Sequence, residues 1–242
     1  MSNELPVKIE YCPIIDAVVE IRFESSFNPN IILGIFYDKL KDHYSISVKN
    51  LPILRIPEEF RTKDALLKFR PWYSLELDRF TIMLGPSVCS VSAVKPYSNW
   101  KDYFCDLEKI YSIIEESNVI SLVHRIGLRY INYFKEDITS DLSMSVKFDN
   151  CDAPSDLNIS AKINKSGVGC VICFSNNAEI RDKEGKLSKG SILDIDCSID
   201  YSYEKWDRTK FLSDIKKLHQ SEKELFFSLL TKSLLDKLKP QY

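Results

Sequence analysis

Three segments of this chain alternate apolar and polar residues with a period of two, and that pattern commits it to a sheet with one greasy face. In residues 17–24, Ala17, Val19, Ile21 and Phe23 alternate with Val18, Glu20, Arg22 and Glu24. In residues 122–134, Ile126, Leu128 and Tyr130 oppose Arg125, Gly127 and Arg129. In residues 192–201, Leu193, Ile195, Cys197, Ile199 and Tyr201 oppose Asp194, Asp196, Ser198 and Asp200. Successive side chains of a strand point to opposite faces, so each segment reads as a half-buried strand.

The intervening residues supply helices and turns. Asn28 caps and Pro29 opens a helix carrying Ile32, Phe36 and Leu40. Ser98 or Asn99 caps a second, with Trp100, Phe104, Leu107, Tyr111 and Ile114 at 4-3-4-3 spacing. A third spans about 207–238, with a stripe of Phe211, Ile215, Leu218, Leu225 and Leu229 and a restart at Thr231. Further strands are expected at 45–49, 67–77, 80–84 and 88–94, with a turn at Gly85-Pro86 and a surface connection at 50–65. The polar stretch 135–157 is expected to hold a strand near 144–148. A hairpin joins 157–163 to 168–174 around residues 164–167. Residues 176–190, with mixed charge and glycine, read as a mobile loop. The fold class is therefore α+β: a mostly antiparallel sheet with three main helices packed on one face. The expected organisation is one domain over 1–242, with pseudo-halves 1–118 and 119–242.

Composition fits this frame. Of 242 residues, 44% are hydrophobic and 28% charged, enough apolar material for a sizeable core. A formal net charge of −2 encodes no global attraction to nucleic acid or to an anionic membrane. No apolar run approaches the roughly 20 residues that span a bilayer, and Met1-Ser2-Asn3-Glu4 lacks the features of a secretion signal. These readings predict a cytoplasmic protein. The seven cysteines are odd in number and irregularly spaced, which predicts reduced, mostly buried thiols. Cys170 and Cys173 form a lone C-x-x-C on an expected strand, where residues three apart face opposite ways and cannot easily share one metal.

Several motifs resemble those of a sporadically distributed, uncharacterised family of prokaryotic proteins. Cys12-Pro13-Ile14-Ile15-Asp16-Ala17-Val18-Val19-Glu20-Ile21-Arg22-Phe23 is similar to its E-A-V-x-E-I-R-F opening, with Asp16 in place of the usual glutamate. Pro96-Tyr97-Ser98-Asn99-Trp100 is similar to its P-Y-x-x-W segment, and Arg125-Ile126-Gly127-Leu128-Arg129-Tyr130-Ile131-Asn132 to its central motif. Leu193-Asp194-Ile195-Asp196 and Leu218-His219 continue the likeness. The resemblance implies a prokaryotic, cytoplasmic, single-module protein and brings no activity with it. The patchy distribution is typical of toxin–antitoxin and phage-defence genes.

The candidate site is the polar strand face: Glu20, Arg22, Arg125, Arg129, Asp194 and Asp196, with Tyr130 and Trp72 as aromatic partners. Both signs of charge on neighbouring strands suit binding of a charged group, and Tyr, Trp and Arg are enriched at protein interfaces. The same aromatics beside Arg70 and Arg129 suit base stacking. One alternative is a solvated face laced with cross-strand ion pairs. Another is a metal-dependent polyphosphate or nucleotide enzyme or nucleotide sensor, in which Mg²⁺ or Mn²⁺ sits on the carboxylates. Against the enzyme, the first motif reads E-x-R-x-E rather than E-x-E-x-K. His43, His124 and His219 have no second ligand at metal spacing, and no Walker loop, G-x-S-x-G or G-x-G-x-x-G is present. The expectation is a non-enzymatic interaction protein without a cofactor, with an antitoxin, immunity or phage-defence accessory role. Its expected partner is a protein, a second copy included; a nucleotide or nucleic acid is the other ligand class, and no membrane partner is expected.

Overall fold

The computed structural model describes residues 4–93, 96–144, 146, 155–181, 185 and 187–242. In chain order these hold β1 (Lys8–Ile9), β2 (Ile14–Glu24), α1 (Pro29–Leu40), β3 (Ser47–Asn50), α2 (Glu58–Lys63), β4 (Tyr73–Glu76), β5 (Phe80–Gly85) and β6 (Val88–Ala93). They continue with α3 (Trp100–Glu116), β7 (Leu122–Phe134), β8 (Asn158–Lys165), β9 (Val168–Arg181), β10 (Leu187–Lys205), α4 (Arg208–Leu229), α5 (Lys232–Lys237) and β11 (Pro240–Gln241). The result is α+β with a large antiparallel sheet, as the alternation requires. Among the described residues no helix is long and apolar enough to cross a membrane.

The chain packs as two compact units, each built from separate segments. The first comprises residues 1–16, 129–197 and 218–242; the second comprises 17–128 and 198–217. Strands β2, β7 and β10 and helix α4 each begin in one unit and end in the other.

In the second unit the strand order is β3-β4-β5-β6-β2-β7-β10. The pairs β3–β4, β4–β5, β5–β6 and β2–β6 are antiparallel. Ala17, Val19, Ile21 and Phe23 are wholly buried, whereas Glu20, Arg22 and Glu24 are only partly so. Helix α1 starts as its sequence demands: Asn28 accepts from the Asn30 N–H, Pro29 occupies the first turn, and Ile32, Phe36 and Leu40 are buried. Asn99 caps α3 by accepting from the Asp102 N–H. Tyr103 fixes α3 on the sheet. Val19 and Val91 are ladder partners on β2 and β6. The Tyr103 hydroxyl stands between them, accepting from the Val19 N–H at 3.1 Å and donating to the Val91 carbonyl at 2.6 Å. The Tyr111 ring meets Phe211 of α4 at an interplanar angle of 54°, ring centres 4.2 Å apart.

In the first unit the order is β7-β10-β9-β8, with β1 pairing β11 as a separate ribbon. The β8–β9 hairpin turns on Ser166 and Gly167, both at positive φ (54° and 78°). Two successive left-handed residues give the tight connection whose twist matches the strands. Thr231 caps α5 by accepting from the Leu234 N–H.

Four expectations need correction, and the surface connection 50–65 gains detail. Residues 67–77 do not form one strand: β4 begins at Tyr73, and Asp64, Leu67 and Arg70 lie in tight turns held by Leu67 N–H to Asp64 O and Arg70 N–H to Leu67 O. The connection 50–65 contains a 3-10 turn (Pro52–Arg55) and α2. Of the loop expected over 176–190, residues 176–181 and 187–190 are strand, because β9 runs on to Arg181 and β10 starts at Leu187; residues 182–184 and 186 lie outside the described residues. The apolar stripe of α4 turns through Leu218, Glu222, Phe226 and Leu230, leaving Leu225 and Leu229 half-buried. The cysteines are not all free or buried: Cys170 and Cys197 on β9 and β10 are bonded, and Cys12 and Cys105 are exposed. Cys151 and most of the strand expected near 144–148 lie outside the described residues.

Candidate functional site

The polar side of β2 and β7 in the second unit carries a cluster of charged groups. Glu20 Oε1 accepts from two guanidiniums at once: Arg22 Nε at 2.8 Å and Arg125 Nη1 at 3.0 Å. Side-chain exposures of 26%, 35% and 15% for Glu20, Arg22 and Arg125 place the trio partly out of water, where a charge-assisted bond is stronger than a surface pair. One carboxylate thus bridges two guanidiniums.

Gly127 makes this arrangement possible. A Cβ at residue 127 would lie 2.6 Å from Arg125 Nη1 and 3.1 Å from Cζ. The guanidinium therefore lies along the strand over the glycine, in the space a side chain would fill. Gly127→Ala is expected to displace Arg125 and cost about 0.5–1.5 kcal/mol, the net worth of one hydrogen bond. A double-mutant cycle in urea with Glu20→Gln checks it: the Gly127–Glu20 coupling should account for most of the loss.

Residues from the turn before β4 complete the face. The Arg22 guanidinium lies 5.0 Å from the centre of the Phe69 ring and Lys68 Nζ lies 5.2 Å from it. His124 meets the same ring edge-on at 6.4 Å and bonds Glu24 through Nε2 at 3.0 Å. Phe69, Lys68 and His124 were not among the expected site residues. Only proximity in the fold brings the 64–72 segment to β2, and no period or motif announces it.

The other expected residues go elsewhere. Arg129 and Asp194, in the first unit, form a two-point pair, Nε to Oδ1 at 2.8 Å and Nη2 to Oδ2 at 2.5 Å. The Asp194 bond holds the Arg129 pKa above its ordinary value, and the charges of Asp194, Asp196 and Asp16 add to it. Tyr130 is 2% exposed, and its hydroxyl meets His219 Nδ1 at 3.3 Å. Trp72 is 3% exposed. Neither ring offers a face for base stacking. Tyr130 follows Arg129 on a strand and so points to the apolar side; Trp72 is covered by Arg61, whose guanidinium lies 4.0 Å from its ring centre.

Arg61 is itself 9% exposed, and its Nε and Nη1 have no hydrogen-bond partner among the described residues. A desolvated cation–π contact contributes on the order of 2 kcal/mol, less than the several kcal/mol that desolvating a guanidinium costs. No group of three or more His, Cys, Asp or Glu side chains able to hold a metal ion occurs among the described residues.

No family model matches the chain, and no curated protein matches it.

Proposed function

We propose that this chain is a non-enzymatic interaction protein that grips an anionic feature of a partner protein on the polar face of β2 and β7 in the second unit. The observation that carries this reading is the sharing of the Glu20 carboxylate by Arg22 and Arg125. Glu20 orients both guanidiniums, and among the described residues Arg22 donates to it through Nε alone, one of its five N–H groups. The other Arg22 donors, held in place by that bond and by the Phe69 ring, suit a carboxylate or similar anion. The Phe69 ring, flanked by Arg22, Lys68 and His124, supplies apolar area beside the charge. Glu20 and Asp194 are each engaged by arginine, which favours ion pairing over metal binding as their role.

The test is affinity capture from cells of the source organism, followed by titration of the purified partner. Arg22→Ala with Arg125→Ala is expected to raise Kd at least 10-fold, about 1.4 kcal/mol or more, with unchanged circular dichroism. Undiminished affinity would overturn the reading. So would turnover of nucleoside triphosphates or polyphosphate with Mg²⁺ or Mn²⁺ that the same substitutions abolish.

A further inference from the structure

The segment from Phe60 to Trp72 has its own chemistry. Arg61, Lys63, Lys68 and Arg70 stand against the single acid Asp64, whose side chain is engaged by the Leu66 N–H. None of the four cations is ion-paired among the described residues. Two large apolar side chains lie in the same stretch: Phe60 on α2 is 65% exposed and Leu66 in the following turn is 83% exposed. Between them in sequence sits Arg61, nine-tenths buried against Trp72, with two nitrogens that have no partner among the described residues.

Isolated exposed apolar residues are ordinary. Here two of them border a local excess of positive charge, in a chain whose net charge is −2. A buried guanidinium without an acceptor is costly by itself and gains most when a carboxylate meets it in a dry contact. The combination of an aromatic-backed arginine, exposed apolar neighbours and a basic rim is the composition of an interface centre. We infer that α2 and the turn after it form a docking site for an acidic, apolar segment of another protein, with one of its carboxylates joining Arg61 on Trp72 and its apolar side chains covering Phe60 and Leu66. This inference rests on the reading of the chain as an interaction protein and places a second contact on the same partner class.

The test uses the full chain as bait for a displayed library of random 12-residue peptides, with the enriched peptides then synthesised and titrated. Enriched peptides are expected to combine Asp or Glu with apolar residues. Their Kd should rise at least 10-fold with Phe60→Asp or Leu66→Asp, exposed positions that leave the core untouched, and with Arg61→Lys, which keeps charge but loses the planar fork. Loss with Arg22→Ala and Arg125→Ala alone leaves the Glu20 site standing and overturns this one. Loss with the α2 substitutions alone supports this site and counts against the Glu20 site; loss with both sets supports both. Peptides without acidic residues, or no enrichment, overturn the inference. So does concentration-dependent self-association in sedimentation that Phe60→Asp abolishes, because the patch then belongs to a second copy.

Discussion

Glu222→Gln is expected to stabilise the protein at pH 8 by on the order of 3–5 kcal/mol relative to the parent chain. Glu222 lies in the buried stripe of α4 at 4% exposure, and burial pushes its carboxyl pKa from 4.5 up to about 8. Between those values the unfolded chain has released the proton while the folded chain keeps it. Stability therefore falls as pH rises, by about 1.4 kcal/mol per unit, and levels off above pH 8. One turn earlier, burial lowers the His219 pKa from 6.5 to about 4, with nearby Lys223 adding to the effect. Its sign is opposite: from pH 4 to 6.5 the unfolded chain holds the proton and the folded chain does not, so stability rises. The two slopes cancel between about 4.5 and 6.5. Glu222→Gln should leave only the rise, and His219→Gln only the fall. Urea unfolding of parent and both variants from pH 4 to 9 reads the differences directly; superimposable curves would refute the assignment.

Breaking the Cys170–Cys197 bond is expected to cost about 3–4 kcal/mol, the chain-entropy value for a 27-residue separation. The two sulfurs come from strands β9 and β10, at positions 5% and 0% exposed. Urea unfolding with and without reductant, and of the Cys170→Ala, Cys197→Ala variant, measures the cost. Denatured without reductant, the chain should titrate no more than five of its seven thiols. Seven free thiols, or a midpoint indifferent to reductant, would remove the bond from the account of stability.

Local signals in the sequence proved readable where one short stretch determines the outcome. The Asn28, Asn99 and Thr231 caps, the extent of β7 and the buried alternation of β2 all follow from neighbouring residues. The ends of β9 and β10 did not show, because Ala178 and Ile180 are only half-buried among polar neighbours and residues 187–189 are exposed. A strand with no fully buried side shows only a weak period-two signature even when the ladder continues through it. Glu222 escaped for the converse reason: a polar residue at a core position looks like a break in the stripe, and residues 225 and 229 were substituted for it. The candidate site was half legible. Alternation placed Glu20, Arg22 and Arg125 on one side; it could not reveal that one carboxylate serves both arginines, that Gly127 clears the space, or that Phe69 arrives from a turn.

Tyr103 has a mechanical consequence. Its hydroxyl bridges the ladder between Val19 and Val91, so parting β2 from β6 at that point also breaks a hydrogen bond to α3, at about 0.5–1.5 kcal/mol. Opening of that seam is thereby coupled to the seating of α3, and β2, which carries Glu20 and Arg22, shares the restraint.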